Sequence, residues 1–353
     1  MLNSIVRKDC IRVINEINLK KFNGKKILIL GGNSFIASYI QAILSISKIK
    51  KNINSKVTSL SLNYPRGLFK DILNESTNIN FIKIDLVKSL YLKRILSKKF
   101  DFIFHCATYG QPEKWKENYF NIISLSTSTL KLVLDHAKKF KSKVMYFSSA
   151  DVYDVGIDNN KKIDENFPVG VPNHLGRSVY SCSKILGEKL CMIYKQEHNL
   201  PIYIVRLAHT YGPGQDATND RRLIAQLAYR SIYKKNIYIY GKGEKIKTWG
   251  YIADIAKMLL NIIQFGKSQT YNVAGNSHKS IYEIAKIFAK NTKKKLVRKK
   301  ILKQQEHFIN TDASVIKINS NKYYHEFKNK KNNTNITKGI SNLIKWNISK
   351  FKK

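Results

Sequence analysis

Tyr180 and Lys184 stand at i and i+4 in the stretch RSVYSCSKILGEKLCMIY, so on a helix they share one face. A free phenol loses its proton near pH ~10. An ammonium beside it favours the phenolate, which can take a proton from an alcohol while hydride leaves the same carbon. A third group belongs with this pair. In MYFSSADVYD, residues 145–154, an apolar strand pattern ends in Ser148 and Ser149, and a hydroxyl fixed at a strand end can hold the reacting alcohol in line. Ser149 is the candidate. Asp151, two residues on, could cap the following turn.

Hydride needs an acceptor, and the chain offers a place for one. The apolar run KKILIL leads into LGGNSFIAS, with the spacing G-G-x-S-x-x-A. Small residues there let the backbone turn tightly and let a pyrophosphate approach the first N–H groups of a helix. Gly31, Ser34, Phe35 and Ile36 are the candidates. Asp85, ending FIKIDL beside Leu86, stands where a carboxylate could accept from an adenine amino group. The run DFIFHCATYG ends in His105, Cys106, Ala107 and Thr108, small groups across which a dinucleotide could lie, with Ala107 a candidate cofactor residue. At the end of the second strand pattern, KVTSLSLN, Ser61 takes the place of a ribose-binding acid. Arg66 in YPRG meets a 2′-phosphate or is a solvated turn, so these residues leave NAD and NADP both open.

The elements that must position these groups alternate. Apolar runs predict strands at 26–30, 57–62, 79–84, 101–105, 143–148 and 201–206; helical patterns occupy 35–47, 86–98, 120–139 and 178–197. Such alternation predicts an α/β fold, a Rossmann-like doubly wound parallel sheet covered on both faces. A short amphipathic helix precedes it, with Val6, Cys10, Ile14 and Ile17 on one stripe. After residue 211 the pattern loosens, with helices near 220–234, 252–265 and 280–291 and strands at IYIY and TYNV. The expected division is an N-terminal helical extension (1–22), a dinucleotide-binding domain (23–210) and a smaller C-terminal substrate-binding lobe (211–353) with a Lys/Asn-rich tail. On the catalytic helix, Cys182, Leu186, Leu190 and Ile193 form a separate stripe, expected to face the core.

Taken together, these motifs resemble the extended short-chain dehydrogenase/reductase family, in its NAD-dependent nucleotide-sugar epimerase/dehydratase branch, over about residues 24 to 290. The loop resembles T-G-x-x-G-F-I-G, with Leu30, Ser34 and Ala37 as departures. SSADVYD resembles S-S-x-x-V-Y-G. RLAHTYGPG (206–214) resembles R-x-x-N-x-Y-G-P, with His209 at a substrate-binding asparagine position. GKGEKIKTWGYIAD (241–254) carries Lys247 in place of an arginine that clamps the sugar-nucleotide diphosphate. NDRRLIAQL (219–227) resembles a segment of the uridine-sugar decarboxylases and keeps Arg222. The resemblance implies catalytic roles for Ser149, Tyr180, Lys184 and Asp151, and a cofactor held by Gly31, Ser34, Phe35, Ile36, Asp85, Leu86, Ala107, Tyr180 and Lys184. That cofactor is NAD, with NADP not excluded. It further implies a nucleoside-diphosphate sugar bound through His209, Arg222 and Lys247, and a cytoplasmic homodimer. Family 4,6-dehydratases carry an Asp-Glu pair after the catalytic hydroxyl; here Ala150 and Asp151 occupy those positions. That favours an epimerase working through a 4-keto intermediate. A 4,6-dehydratase, a UDP-glucuronate-type decarboxylase, an NADPH-dependent keto-sugar reductase and a non-catalytic dinucleotide-binding relative are the alternatives.

Bulk properties fit this reading. The 353 residues, 43% apolar, suffice for a large core. The net charge of +39 comes from lysines spread along the chain, with runs at 293–303 and 327–338. No nucleic-acid motif accompanies them, and general over-use of Lys, Asn and Ile accounts for the charge better than a nucleic-acid partner. The scattered charges near the start do not make a secretory signal, and no apolar run approaches the ~20 residues of a membrane helix. Cys10, Cys106, Cys182 and Cys191 show no C-x-x-C spacing and no grouping with histidine, so reduced thiols and no metal are expected.

Overall fold

The computed structural model describes residues 2–88, 90–153, 162–171, 175–301, 317–328 and 334–351. Parts of both lysine-rich runs, 302–303 and 329–333, lie outside the described residues. In chain order the first half comprises α1 (Ser4–Glu16), β1 (Lys26–Leu30), α2 (Phe35–Lys51), β2 (Lys56–Ser61), α3 (Gly67–Glu75), β3 (Ile79–Lys83), α4 (Leu90–Leu96), β4 (Phe102–His105), α5 (Tyr119–Ser126), α6 (Ser128–Phe140), β5 (Lys143–Ser149), α7 (Leu175–His198) and β6 (Ile202–Leu207). Then follow β7 (His209–Tyr211), α8 (Leu223–Tyr233), β8 (Ile237–Tyr240), β9 (Ile246–Tyr251), α9 (Ile252–Phe265), β10 (Thr270–Val273), β11 (Ser277–Ser280), α10 (Ile281–Thr292), β12 (Leu296–Lys299), α11 (Asn321–Phe327) and α12 (Ile336–Phe351).

Seven strands form one parallel sheet in the order β10-β6-β5-β4-β1-β2-β3. The doubly wound arrangement expected from the alternating pattern is the one observed. Alternate residues of β1 serve two cores, which is why its apolar run is unbroken. Ile27 and Ile29 pack with α1, α2 and α9; Leu28 and Leu30 pack with residues of β4 and α6. The chain winds outward through β2 and β3, then returns past β1 to β4. The crevice where the strand order reverses, beyond the carboxyl ends of β1 and β4, is where such sheets bind ligands.

The later segments divide their work. β10 extends the main sheet, while β11-β9-β7 and β12-β8 form two small sheets beside it. The N-terminal helix packs its Val6, Cys10, Val13 and Ile14 into the core, and Asp9 accepts hydrogen bonds from Tyr39 (2.9 Å) and Tyr251 (2.5 Å).

Two expectations are corrected. The long helix over 120–139 is broken at Thr127, whose φ/ψ of −120°/−85° ends α5 and starts α6. The Cys182 stripe of α7 faces outward: Cys182 is exposed, and Leu186 and Ile193 keep 48% and 46% of their surface. Phe120 and Ile123 of the adjoining α5 are exposed too. Periodicity located a stripe but could not say which side of it met the sheet.

Candidate active site

Four side chains gather where β5 ends and α7 begins. Ser149 closes β5 and caps a single 3-10 turn, Ala150–Val152, accepting from the Asp151 N–H at 3.2 Å. Its hydroxyl also hydrogen-bonds the phenol of Tyr180. Tyr180 and Lys184, one turn apart on α7, are both buried. The Lys184 ammonium lies 5.6 Å from the centroid of the Tyr180 ring and donates to the Phe147 carbonyl at 2.8 Å. The serine, tyrosine and lysine expected from spacing alone therefore meet in one site.

The electrostatics follow from burial. Desolvation pushes the Tyr180 phenol well above the usual range; the Asp151 carboxylate adds to this, while the Ser149 hydroxyl and the Arg222 charge oppose it. Burial brings Lys184 down to about 8, against the pull of Cys106 and Glu188. His105 is driven down to about 3 by burial and the Lys184 charge, so it is neutral at physiological pH.

Asp151 is not free to face the cleft alone. Arg177, from the first turn of α7, donates to its carboxylate at 3.2 Å. Ala150 before it is buried among Val152, Tyr153, Ala208 and Ala274.

At the phosphate loop, Gly31 has φ +81°, and a Cβ there would stand 2.8 Å from the Cα of Ala107. The turn out of β1 therefore packs directly on the backbone that follows β4, and only glycine fits there. Ser34 is the N-cap of α2 but makes no side-chain cap bond, leaving the first N–H groups from Phe35 and Ile36 directed at the loop. Asp85 accepts from the Val87 N–H at 2.9 Å, holding the turn after β3, and Leu86 is buried beside it.

The three expected substrate residues lie on other elements. Arg222, the N-cap of α8, is ion-paired with Asp220 and lies 5.8 Å from the ring of Phe35, while its charge also reaches Tyr180. It thus joins the site. His209 on β7 is exposed and edge-on to Trp249, 5.3 Å between centroids. Lys247 lies two residues before Trp249 on β9 and is only 2% exposed.

Sequence reasoning missed two features. Trp115, in the loop between β4 and α5, stacks flat on Tyr180, with centroids 4.6 Å apart and planes at 9°. Its indole N–H donates to the Tyr109 carbonyl at 2.6 Å. The aromatic-rich run YGQPEKWKENYF was the available signal. Glu188, one turn after Lys184, accepts from Ser148 and from the Nε and Nη2 of Arg206, tying α7 to β5 and β6. Among the described residues no cluster of His, Cys, Asp and Glu could hold a metal, and no helix is long and apolar enough to cross a membrane.

The model of the NAD dependent epimerase/dehydratase family matches residues 27–274. The chain belongs to this family. UDP-glucuronic acid decarboxylase 1 of Xenopus tropicalis is 24% identical over 272 residues, covering 76% of this chain and 61% of the relative. The dTDP-D-glucose 4,6-dehydratase of Dictyostelium discoideum is 28% identical over 274 residues, covering 74% and 61%. The match therefore spans about three-fifths of these relatives' length. Among solved structures, UDP-glucuronic acid 4-epimerase of Bacillus cereus, in complex with UDP-glucuronic acid and NAD, superposes with a TM-score of 0.77 at 20% identity, over 92% of this chain and 100% of that one. The tight glycine turn after β1 and the N-terminus of α2, which no side chain caps, suit the pyrophosphate of such a dinucleotide.

Proposed function

We propose that this chain is a nicotinamide-dependent nucleotide-sugar epimerase acting at C4. Ala150 carries the reading. A 4,6-dehydratase needs an acid there to protonate the departing C6 hydroxyl, and this position is apolar and buried, while the neighbouring Asp151 is held by Arg177. What C4 oxidation needs is present. Ser149 would hold the C4 hydroxyl, and Tyr180 would accept its proton as the C4–H hydride departs. Lys184 supplies the positive charge that favours the phenolate. Gly31, Ser34 and Ala107 would hold the NAD, which when bound would supply a reversible hydride acceptor for oxidation and re-reduction at C4. The sugar end is assigned to the lobe built mainly from 211–353, with Arg222, His209 and Lys247 toward the diphosphate and sugar.

Decarboxylation is the second reading. It is favoured by the single acid Asp151, by the retained Arg222 and by the likeness to the Xenopus decarboxylase.

The outward stripe of α7 with Phe120 and Ile123 of α5 supports a homodimer built on this helix pair. Leu186→Lys is expected to yield a monomer by analytical ultracentrifugation; an unchanged species would refute that interface.

The chemistry is tested by incubating the protein with hexose and uronic acid nucleotides in deuterated buffer. Inversion at C4 without exchange at C5 is expected. Rapid loss of water with C5 exchange would reject the epimerase reading, and loss of carbon dioxide would establish the second one.

A further inference from the structure

We infer that the main sheet carries a second anion site, at the end opposite the crevice, and that it takes an oligophosphate. The inference does not depend on the reaction proposed above. Lys26, Lys56 and Ile79 are the first residues of β1, β2 and β3, so the amino ends of these parallel strands lie far from the phosphate loop. A cleft of about 460 Å³ opens there. That volume is in the range of small-molecule sites.

The cleft is built on one face of the sheet. Lys26 pairs in register with Lys56, and Thr58 with Asn80. Strand side chains alternate between faces, so all four belong to the face that carries Leu28, the partner of Thr58. Elsewhere on that face Leu28 and Leu30 pack with residues of α4 and α6, but α4 has only seven residues and ends at Leu96. The segment after it, Lys98 to Phe100, forms the other wall of the cleft. Thr58 is half-buried and Asn80 exposed, and neither side chain has a hydrogen-bond partner among the described residues. Both are left to face the cleft as polar groups.

Lysine is abundant throughout this chain, so a cation alone would decide nothing. What sets this cleft apart is that Lys26, Lys56, Lys98 and Lys99 all line it and no carboxylate does. Among the described residues none of these four ammonium groups has an ion-pair partner. The adjoining acid, Asp101, is already engaged. Its carboxylate accepts from the Lys26 backbone N–H at 2.9 Å and pairs with Lys25 at 3.5 Å. Ammonium groups act as point charges, and the cleft has no guanidinium to grip a planar carboxylate through two bonds. A chain of phosphates would spread its charge over two walls, as these lysines are spread. The Thr58 hydroxyl and the Asn80 amide would add neutral donors beneath it.

Calorimetry on the purified chain tests this, at ~0.15 M salt and with NAD in excess to occupy the crevice. Sodium tripolyphosphate and ATP are the probes, which separate an inorganic from a nucleotide source; citrate is the carboxylate comparison. Tripolyphosphate is expected to bind with one-to-one stoichiometry, ATP within about fivefold of it and citrate at least about tenfold more weakly. Lys56→Ala combined with Lys98→Ala should weaken tripolyphosphate at least about tenfold. Asn80→Asp, which sets a carboxylate into the cleft, should weaken it similarly. Lys286→Ala combined with Lys290→Ala, on α10, should leave it within about twofold. All of these positions are exposed, so the variants report on folded protein. No binding of tripolyphosphate, citrate binding as well, or the α10 variant losing as much as the cleft variant would overturn the oligophosphate site. ATP bound without tripolyphosphate would overturn it too, since the nucleoside would then carry the recognition. Any of these failures leaves the C4 reading untouched.

Discussion

Tyr180 is held in the protonation state least useful for proton abstraction, while Lys184 stays mostly charged at neutral pH. Burial keeps the phenol protonated and weakens the ammonium beside it, whose value falls to about 8. The charged Lys184 beside the ring favours the phenolate, and a bound oxidised nicotinamide would supply further positive charge there. Tyr180→Phe should therefore abolish turnover while leaving dinucleotide affinity near wild type, since it removes only the proton acceptor; normal turnover in that variant would exclude the mechanism. Lys184 also makes a prediction about stability. Its folded pKa of about 8 lies below its ordinary 10.5, so the cost of burying its charge is full below about pH 8 and fades as pH rises to 10.5. The shift corresponds to about 3 kcal/mol at most. Wild-type stability relative to Lys184→Met should therefore rise between pH 8 and 10.5, as measured by urea unfolding at each pH. A flat difference would mean the ammonium is better solvated than its burial suggests.

At the scale of elements, Trp115 fixes the catalytic ring. The loop between β4 and α5 places the indole on one face of Tyr180 and so connects the dinucleotide side of the crevice to the base on α7. Trp115→Ala should let the phenol swing and let water reach it. Turnover is expected to fall about tenfold to a hundredfold, as for a catalytic group displaced by about 1 Å, with a smaller change in KM. The ascending limb of the rate profile, which reports ionisation of the base, should move to lower pH, because less burial means a less elevated phenol. Trp115→Phe keeps a stacked ring and should restore most of the rate; equal losses in both variants would point to indole-specific folding defects instead. This contact was not legible in the sequence, because stacking across a loop of irregular turns has no periodicity. The strands were legible: β1 occupies 26–30 as expected, and β2, β3, β4, β5 and β6 agree within about a residue at either end, since parallel strands buried on both faces leave unbroken apolar runs. The Ser149, Tyr180 and Lys184 set was legible because the chemistry restricts the residue types, and a helical i, i+4 pair behind a strand-end serine restricts their placement. The outward α7 stripe was not, since an apolar stripe looks the same whether it meets a sheet or another molecule.

The whole molecule carries 63 basic against 24 acidic side chains, a net charge of +39. Among the described residues, several ion pairs join the terminal helices to the body: Arg7 with Glu75, Arg12 with Asp254 and Lys350 with Asp71. Most such pairs are partly exposed and worth about 0–1 kcal/mol each, and salt weakens them. The opposing effect is self-repulsion among the uncompensated lysines, which destabilises the compact state and is screened once the Debye length falls from ~30 Å at 0.01 M to below ~10 Å above 0.1 M. With a few pairs against a large uncompensated excess, relief of repulsion should win. Stability is therefore expected to rise as sodium chloride is raised from ~0.02 to ~0.5 M, with the urea midpoint moving up and the slope of the transition unchanged. A midpoint that falls with salt would show that the ion pairs clasping α1 and α12 to the body outweigh the repulsion. Arg12→Leu separates the two contributions. It breaks the pair with the 2%-exposed Asp254 carboxylate, so it should lower stability at every salt concentration while leaving the upward slope with salt intact.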